Sequence, residues 1–398
     1  MSMTSRDNKI SHLLARNVEQ VIERKHLESA LHGAKKLRVK LGIDPTGEKI
    51  HIGRAVILWK LREFQELGHE IILIIGDFTA QIGDPSDKLE KRPFLGKEQV
   101  AKNLKNYLPQ IGMILDLKKT EVRYNSEWLA KLNFREIGEL AELFTFQQIL
   151  ERRNFRERWE KHQEISYREG MYALMQGYDS VAIKADVELG GTDQLFNLMA
   201  GRKIQERYGQ KPQDVMITSM LLGLDGRKMS TSWGNVINIA DAPDEQFGKV
   251  MSMHDDMILG YFRAVTKLSD VEMESYKKEL KSDANPRDIK LILAREIVAL
   301  YHGKAAAEKA QERWERVFSK KEIHAADIPE LKLKSKKISV VDLVLASGVA
   351  KSKSEARRLV GQGAVSVNGV VEKDPVKTLS FGGGEVAKVG KKNFFRVA

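Results

Sequence analysis

Three short stretches are apolar at almost every position and rich in β-branched residues: LRVKLGID (37–44), EIILIIGD (70–77) and VMITSMLL (215–222). Runs of that length predict strands buried on both faces, as in a parallel sheet. TEVRYNS (120–126) and SVAIKADVELGG (180–191) carry the same pattern in diluted form. Between them apolar positions return every three or four residues, as in AVILWKLREFQELGHE (55–70), which predicts amphipathic helices. Strands alternating with helices imply βαβ units and an α/β, doubly wound parallel-sheet (Rossmann-like) domain. Ligands of such sheets bind beyond the carboxyl ends of the strands. Chemistry is therefore expected in the turns after Asp44, Asp77 and Leu189.

The rest of the chain departs from this rhythm. Residues 1–31 have helical periodicity and suit a docking helix, while Glu19, Glu23 and Glu28 argue against a leader peptide. Section 126–170 inserts a charged helical stretch, FQQILERRNFRERWEKHQE (146–164), whose alternating charge predicts an exposed helix face. From 243 to 323 the pattern is all helical, and HAADIPELKLKSKK (324–337) reads as a linker. Three domains follow: 1–242 with its 126–170 insertion, 243–323, and a small α+β domain over 338–398. In the last, Ser352 and Glu355 have capping-box spacing, and Gly361 or Gly363 can end the helix they start. Ala356, Leu359 and Val360 form its core stripe, with Lys353 and Arg357 on an outer face. VSVNGVVEK (365–373) then places Asn368-Gly369 between two apolar strands, a strong hairpin signal.

Composition narrows the function classes. The 398 residues exceed what one core usually organises, and no run of 18 apolar residues exists to span a membrane. The absence of cysteine excludes disulfides, thiolate metal sites and cysteine catalysis, and a cytoplasmic setting is expected. The nine histidines show no metal-ligand spacing, so no structural metal is expected. Net charge is +11, and from Lys332 onward fourteen Lys/Arg stand against five Asp/Glu. The excess thus lies in the last sixth of the chain, where it points to a polyanionic partner.

Two segments carry candidate chemistry. In IDPTGEKIHIGR (43–54), Pro45 breaks a strand after Asp44 and a helix starts near Ile52. Its N-terminal amides suit an anion. Thr46 and His51 lie beside them as donors, and Gly53 leaves room for a flat ligand. In LDGRKMSTS (224–232) a glycine turn precedes Lys228 and three hydroxyl residues. A mobile lysine of this kind suits a triphosphate, because its charge can follow the leaving group. Tyr172, Gln176 and Asp179 share one stripe of an otherwise apolar helix, so they need partners there.

HIGR and KMSTS resemble the two signature sequences of class I aminoacyl-tRNA synthetases. IGDPSDKLEKR (82–92), YALMQGYD (172–179) and LGGTDQLFN (189–197) resemble, in order and spacing, the bacterial tyrosyl-tRNA synthetases. The final 60-odd residues resemble the ribosomal S-four type RNA-binding module. The resemblance covers nearly the whole chain. It implies activation of L-tyrosine by ATP, accompanied by Mg²⁺, followed by transfer to the terminal adenosine of tRNA(Tyr). It implies ATP contacts at Asp44, His51, Gly53, Arg54, Gly191, Asp193, Lys228, Met229 and Ser230, with catalysis by Thr46, His51 and Lys228 and by the loop cations Lys88 and Arg92. Asp84, Tyr172, Gln176 and Gln194 would surround the ammonium and carboxylate of tyrosine, and Asp179 its hydroxyl. Lys351, Lys353, Arg357 and Arg358 would meet RNA. A homodimer is implied, with LAELFTFQQIL (140–150) as the expected interface.

Three positions depart from the family pattern. Arg54 replaces the second histidine of the first signature, Thr231 replaces the second lysine of the other, and Lys40 stands where some members have a tyrosine. Lys40 is expected to share the phenol end with Asp179. A tryptophanyl enzyme, or a non-catalytic RNA-binding protein on the same scaffold, are the alternatives. Y-x-x-x-Q-x-x-D and the C-terminal module favour tyrosine, and the intact Thr46, His51, Asp179, Asp193 and Lys228 favour catalysis.

Overall fold

The computed structural model describes residues 4–86, 95–282, 285–318, 330–333, 335–350, 352–390 and 393–397. The chain divides into two compact units, Met1–Glu308 and Lys309–Ala398.

In the first unit six strands form one sheet: β1 (Val18–Ile22), β2 (Arg38–Ile43), β3 (Glu70–Ile75), β4 (Thr120–Tyr124), β5 (Val187–Gly191) and β6 (Asp214–Thr218). Their spatial order is β1-β6-β5-β2-β3-β4. Strands β2 to β6 are mutually parallel, whereas β1 runs antiparallel to β6 at one edge. The sheet is therefore mixed, not purely parallel. β1 escaped the sequence reading because VEQVI is only half-buried and lies between two helical segments. VMITSMLL also stops being a strand at Thr218. β3 is buried from Ile71 to Ile75, as its unbroken apolar run requires. The chain runs from β2 outward to β4, then crosses back to β5. Strand order thus reverses between β2 and β5, where a ligand crevice is expected.

The helix Ile52–Glu66 packs Ala55, Val56, Leu58, Leu61 and Phe64 inward, and Gly68, at φ 91°, turns the chain into β3. The insertion breaks into five short helices: Ser126–Leu129, Phe134–Ala141, Phe146–Leu150, Arg153–Glu160 and Tyr167–Gly170. Its charged stretch is not simply an exposed face. Arg158 is 1% exposed and grips Glu169 through two bonds of 2.9 and 3.0 Å. Arg152, Asn154 and Phe155 are buried as well. Alternating charge cannot reveal such a pair, because the partner comes from the next helix. Helices Pro243–Ser252, Ile258–Val265, Asp270–Lys281 and Pro286–His302 make the following section all helical.

The second unit holds β7 (Glu330–Leu331), β8 (Lys337–Ser339), β9 (Val365–Val367), β10 (Val370–Val371), β11 (Thr378–Ser380), β12 (Val386–Val389) and β13 (Asn393–Val397). Five of them form a sheet of order β10-β9-β12-β13-β7, and β11 pairs with β8. Helices Val340–Ala346 and Lys353–Gly361 lie with them. Part of the segment read as linker is thus β7 and the start of β8, while 324–329 and 334 lie outside the described residues. Ser352 Oγ accepts from the Glu355 amide at 3.2 Å, and Ala356 and Val360 are fully buried. Asn368 and Gly369 take φ values of 48° and 82°, the left-handed pair that a two-residue hairpin turn demands.

Candidate active site

A cavity of about 580 Å³ opens beyond the carboxyl ends of β2 and β5, at the reversal of strand order. One wall is the turn into the Ile52 helix. His51 is its N-cap, and its Nδ1 accepts from the Arg54 amide at 3.2 Å. That bond fixes the tautomer, so Nε2 carries the ring proton and is the donor. Burial, with Arg54 and Lys228 nearby, depresses the imidazole pKa to about 3, so His51 is neutral at physiological pH. Arg54 donates to the Tyr107 hydroxyl at 2.8 Å and to Thr46 Oγ1 at 3.4 Å. A Cβ on Gly53 would sit 3.1 Å from both His51 Nδ1 and Met229 Sδ. The glycine therefore lets the two signature segments touch.

That contact is reinforced by backbone bonds. The Ile52 amide donates to the Ile237 carbonyl at 2.8 Å, and the Ile239 amide to the Ile50 carbonyl at 2.9 Å. The Lys228 loop is set by Asn235, which the sequence reading missed. Asn235 accepts from the Ser230 amide at 2.8 Å and donates to the Lys228 carbonyl at 3.1 Å and to Asp225 at 2.8 Å. Met229 is buried, and the Lys228 ammonium lies 3.2 Å from Asp193. Gly191, Asp193, Lys228, Met229 and Ser230 all line the cavity, with Asp44, Thr46, His51, Gly53 and Arg54.

The opposite end is lined by Asp84, Tyr172, Gln176, Asp179 and Gln194. The Tyr172 hydroxyl donates to Asp44 Oδ2 at 2.9 Å, and Thr79 Oγ1 donates to Asp44 Oδ1 at 2.7 Å. Position 76 must be glycine, since a Cβ there would lie 1.9 Å from Asp44 Oδ1. Burial pushes the Tyr172 phenol well above its usual range, so Tyr172 keeps its proton. Gln194 donates to Asp84 Oδ2 at 2.6 Å, while Ser86 donates to Oδ1 through its amide and hydroxyl. Asp179 accepts from Trp128 Nε1 at 2.7 Å and Asn125 Nδ2 at 3.4 Å. Burial still raises its carboxyl to about 7, against the opposing pull of Lys40. Trp128 and Asn125 are further residues that no local pattern announced, because they come from beyond β4 on a different element.

Lys40 is not among the cavity-lining residues. Its ammonium is fully buried and ion-paired to Glu188 at 2.9 Å, so it does not share the phenol end with Asp179 by contact. The cross-strand partner on β5 captures it first. Lys88, Arg92 and Lys351 lie outside the described residues. Lys353, Arg357 and Arg358 are exposed on their helix in the second unit.

Comparisons with known proteins show the family and the fold. Residues 32–319 match the family model of class I tRNA synthetases (W and Y), and 321–397 match the tyrosine–tRNA ligase SYY-like C-terminal domain. A tyrosine–tRNA ligase of Thermotoga maritima is 48% identical over 388 residues, covering 97% of this chain and 96% of that relative. One of Aquifex aeolicus is 44% identical over 379 residues, covering 95% of each. Among solved structures, the fold matches a C-terminally truncated Aspergillus nidulans mitochondrial tyrosyl-tRNA synthetase at TM-score 0.64 and 21% identity, covering 78% of this chain and 94% of the other. It also matches an Archaeoglobus fulgidus tyrosyl-tRNA synthetase complexed with L-tyrosine at TM-score 0.61 and 24% identity, covering 76% and 99%.

Proposed function

The chain belongs to the class I tRNA synthetases, as a member of their tyrosine–tRNA ligase branch, and from that premise we propose how its residues divide the work. The reaction joins tyrosine to ATP as tyrosyl-adenylate, releasing pyrophosphate, and then passes the tyrosyl group to the terminal adenosine of tRNA. No nucleophilic side chain is needed, because the tyrosine carboxylate attacks the α-phosphate directly. Catalysis is positioning plus stabilisation of developing phosphate charge.

Tyrosine enters with its phenol toward Asp179, which accepts from the hydroxyl. Phenylalanine would leave that buried carboxylate without its substrate partner, and this is the basis of rejection. Tyrosyl-tRNA synthetases are themselves the standard example of such discrimination, so its magnitude is a property of the family and not a result of this structure. Gln176, Asp84 and Tyr172 surround the ammonium, and Gln194 the reacting carboxylate. Asp193 and Gly191 hold the ribose, while Thr46, neutral His51 and Arg54 meet the phosphates from the fixed wall and Lys228 from the loop. Lys88 and Arg92 remain candidates for gripping pyrophosphate. Magnesium is carried in on the phosphates of ATP, where it neutralises charge.

The observation that carries this reading is the convergence of His51, Lys228 and Asp179 on one cavity from three separate elements. ATP–pyrophosphate exchange with tyrosine, tryptophan and phenylalanine tests it. Exchange with tyrosine alone is expected, and exchange with tryptophan alone, or with none, would overturn it.

Residues 338–398 act as the RNA-binding module and 243–323 as the anticodon-side domain, in support of which the exposed Lys353, Arg357 and Arg358 form a basic face. Two copies of the chain associate through the insertion. Leu140 packs inward, but Phe134, Phe146, Trp159 and Tyr167 are left largely exposed on it. Among the described residues no helix is long and apolar enough to cross a membrane.

A further inference from the structure

Lys40 and Glu188 are directly opposed on β2 and β5, and neither is accessible to solvent. Buried ion pairs are weak stabilisers, since an apolar pair of the same size often serves the fold as well. The remaining contacts of this pair run toward the substrate. Lys40 Nζ donates to Ser180 Oγ at 2.8 Å and to the Gln176 carbonyl at 2.9 Å. Glu188 Oε1 accepts from Gln176 Nε2 at 3.2 Å, and Oε2 from Ser180 Oγ and Gln213 Nε2.

An ionised carboxylate can only accept. Glu188 therefore holds the Gln176 side chain with its NH₂ inward and its Oε1 turned away. Asn197 Nδ2 donates to that Oε1 at 3.1 Å, and also to Gln194 Oε1 at 3.1 Å. Gln194 in turn spends its NH₂ on Asp84 at 2.6 Å, the second acceptor-only group. With a carboxylate at each end, every amide between Glu188 and Asp84 has a single orientation. Spare lone pairs then remain on Gln176 Oε1 and Asp84 beside the cavity, the polarity that an ammonium group requires.

We propose that Glu188, locked by Lys40, is a positioning residue that fixes the Gln176 amide and thereby selects substrates bearing an α-ammonium group. This rests on the assignment of Gln176 and Asp84 to the ammonium end of tyrosine. Lys40 acts through Glu188 and touches no substrate.

The test is exchange kinetics of Glu188→Gln, which keeps the size of the side chain but can donate as well as accept. KM for tyrosine should rise roughly 10- to 100-fold, the weight of a hydrogen bond to a charged group, while KM for ATP stays unchanged. Competitive inhibition separates orientation from general damage. Tyrosinol, which keeps the ammonium, should lose affinity by a similar factor, whereas the deaminated analogue of tyrosine should inhibit both proteins equally. The double variant Lys40→Met/Glu188→Met removes both charges together and should behave alike; it carries the test if Glu188→Gln does not fold. Unchanged tyrosine KM in the Glu188 variants, with a raised one in Gln176→Ala, would overturn the proposal and leave the ammonium site standing. No effect of Gln176→Ala would instead overturn that site assignment. Equal weakening of both inhibitors would make Glu188 merely structural and so refute the proposal.

Discussion

At the end of the cavity proposed to take tyrosine the carboxylates are already paired: the buried Asp179 with Trp128 and Asn125, and the half-buried Asp84 with Gln194 and Ser86. At the nucleotide end Lys228 rides on a glycine-containing loop, with about a third of its side chain exposed (34%) and an ion pair to Asp193. A carboxylate held by donors on two sides cannot follow its ligand, so it selects by what it leaves unpaired. A partly exposed ammonium on a loop can trade one anion for another as charge moves. The first arrangement suits recognition, and the second suits stabilisation of a leaving pyrophosphate.

The contrast breaks most visibly at Lys228. Lys228→Ala should lower kcat for exchange by about 10²–10³, as losing one aimed charge-stabilising group does, with tyrosine KM little changed. An equal rise in tyrosine KM would mean the two ends are not separate.

Asp179→Asn should act the other way. Tyrosine KM should rise roughly 10- to 100-fold, with preference over phenylalanine reduced and a smaller change in kcat, read by exchange with both amino acids. Thermal unfolding sharpens this. The Asp179 carboxyl is raised to about 7 in the folded chain, so the native state holds its proton more tightly than the unfolded one. Its contribution is present in acid and is lost as pH rises from the unfolded value toward 7. An asparagine at this position has no proton to lose, so Asp179→Asn should gain melting temperature relative to the parent between pH 5 and pH 8.

Asn235→Ala tests the loop more gently. Loss of the bonds to the part-exposed Ser230, Lys228 and Asp225 should reduce kcat several-fold, the weight of a net hydrogen bond at roughly 0.5–1.5 kcal/mol, and spare tyrosine KM. Full activity in the variant would mean that the loop is set by other contacts.

The two ends also differed in how much the sequence disclosed. His51 and Lys228 belong to short contiguous motifs, and the triplet Tyr172, Gln176, Asp179 to a single helical stripe, so spacing alone grouped each set. Asn125 and Trp128 belong to the turn and short helix that follow β4, 50-odd residues before Asp179 in the chain, and only strand order brings them there. Lys40 was visible as an anomaly, but its partner was not. Glu188 is one residue within an apolar strand, and the pairing register of β2 with β5 decides that the two meet. The same limit hid Arg158 and Glu169, whose charges look like a solvated surface until two short helices pack together.

The electrostatic difference between the ends can be measured on the unaltered protein by following kcat/KM for tyrosine and for ATP from pH 5.5 to 8.5. The Asp179 carboxyl is raised to about 7 in the free protein and, in its proposed role, accepts the substrate hydroxyl more strongly when ionised, whereas His51, at about 3, stays neutral throughout. On these grounds kcat/KM for tyrosine should fall as pH drops through about 7, and Asp179→Asn should abolish this limb. No limb from His51 is expected on the ATP side, so His51→Asn should leave the shape of the ATP profile unaltered. A tyrosine profile flat across neutrality, or an acid limb on the ATP side that disappears with His51, would contradict the division of the cavity into a recognising end and a charge-stabilising end.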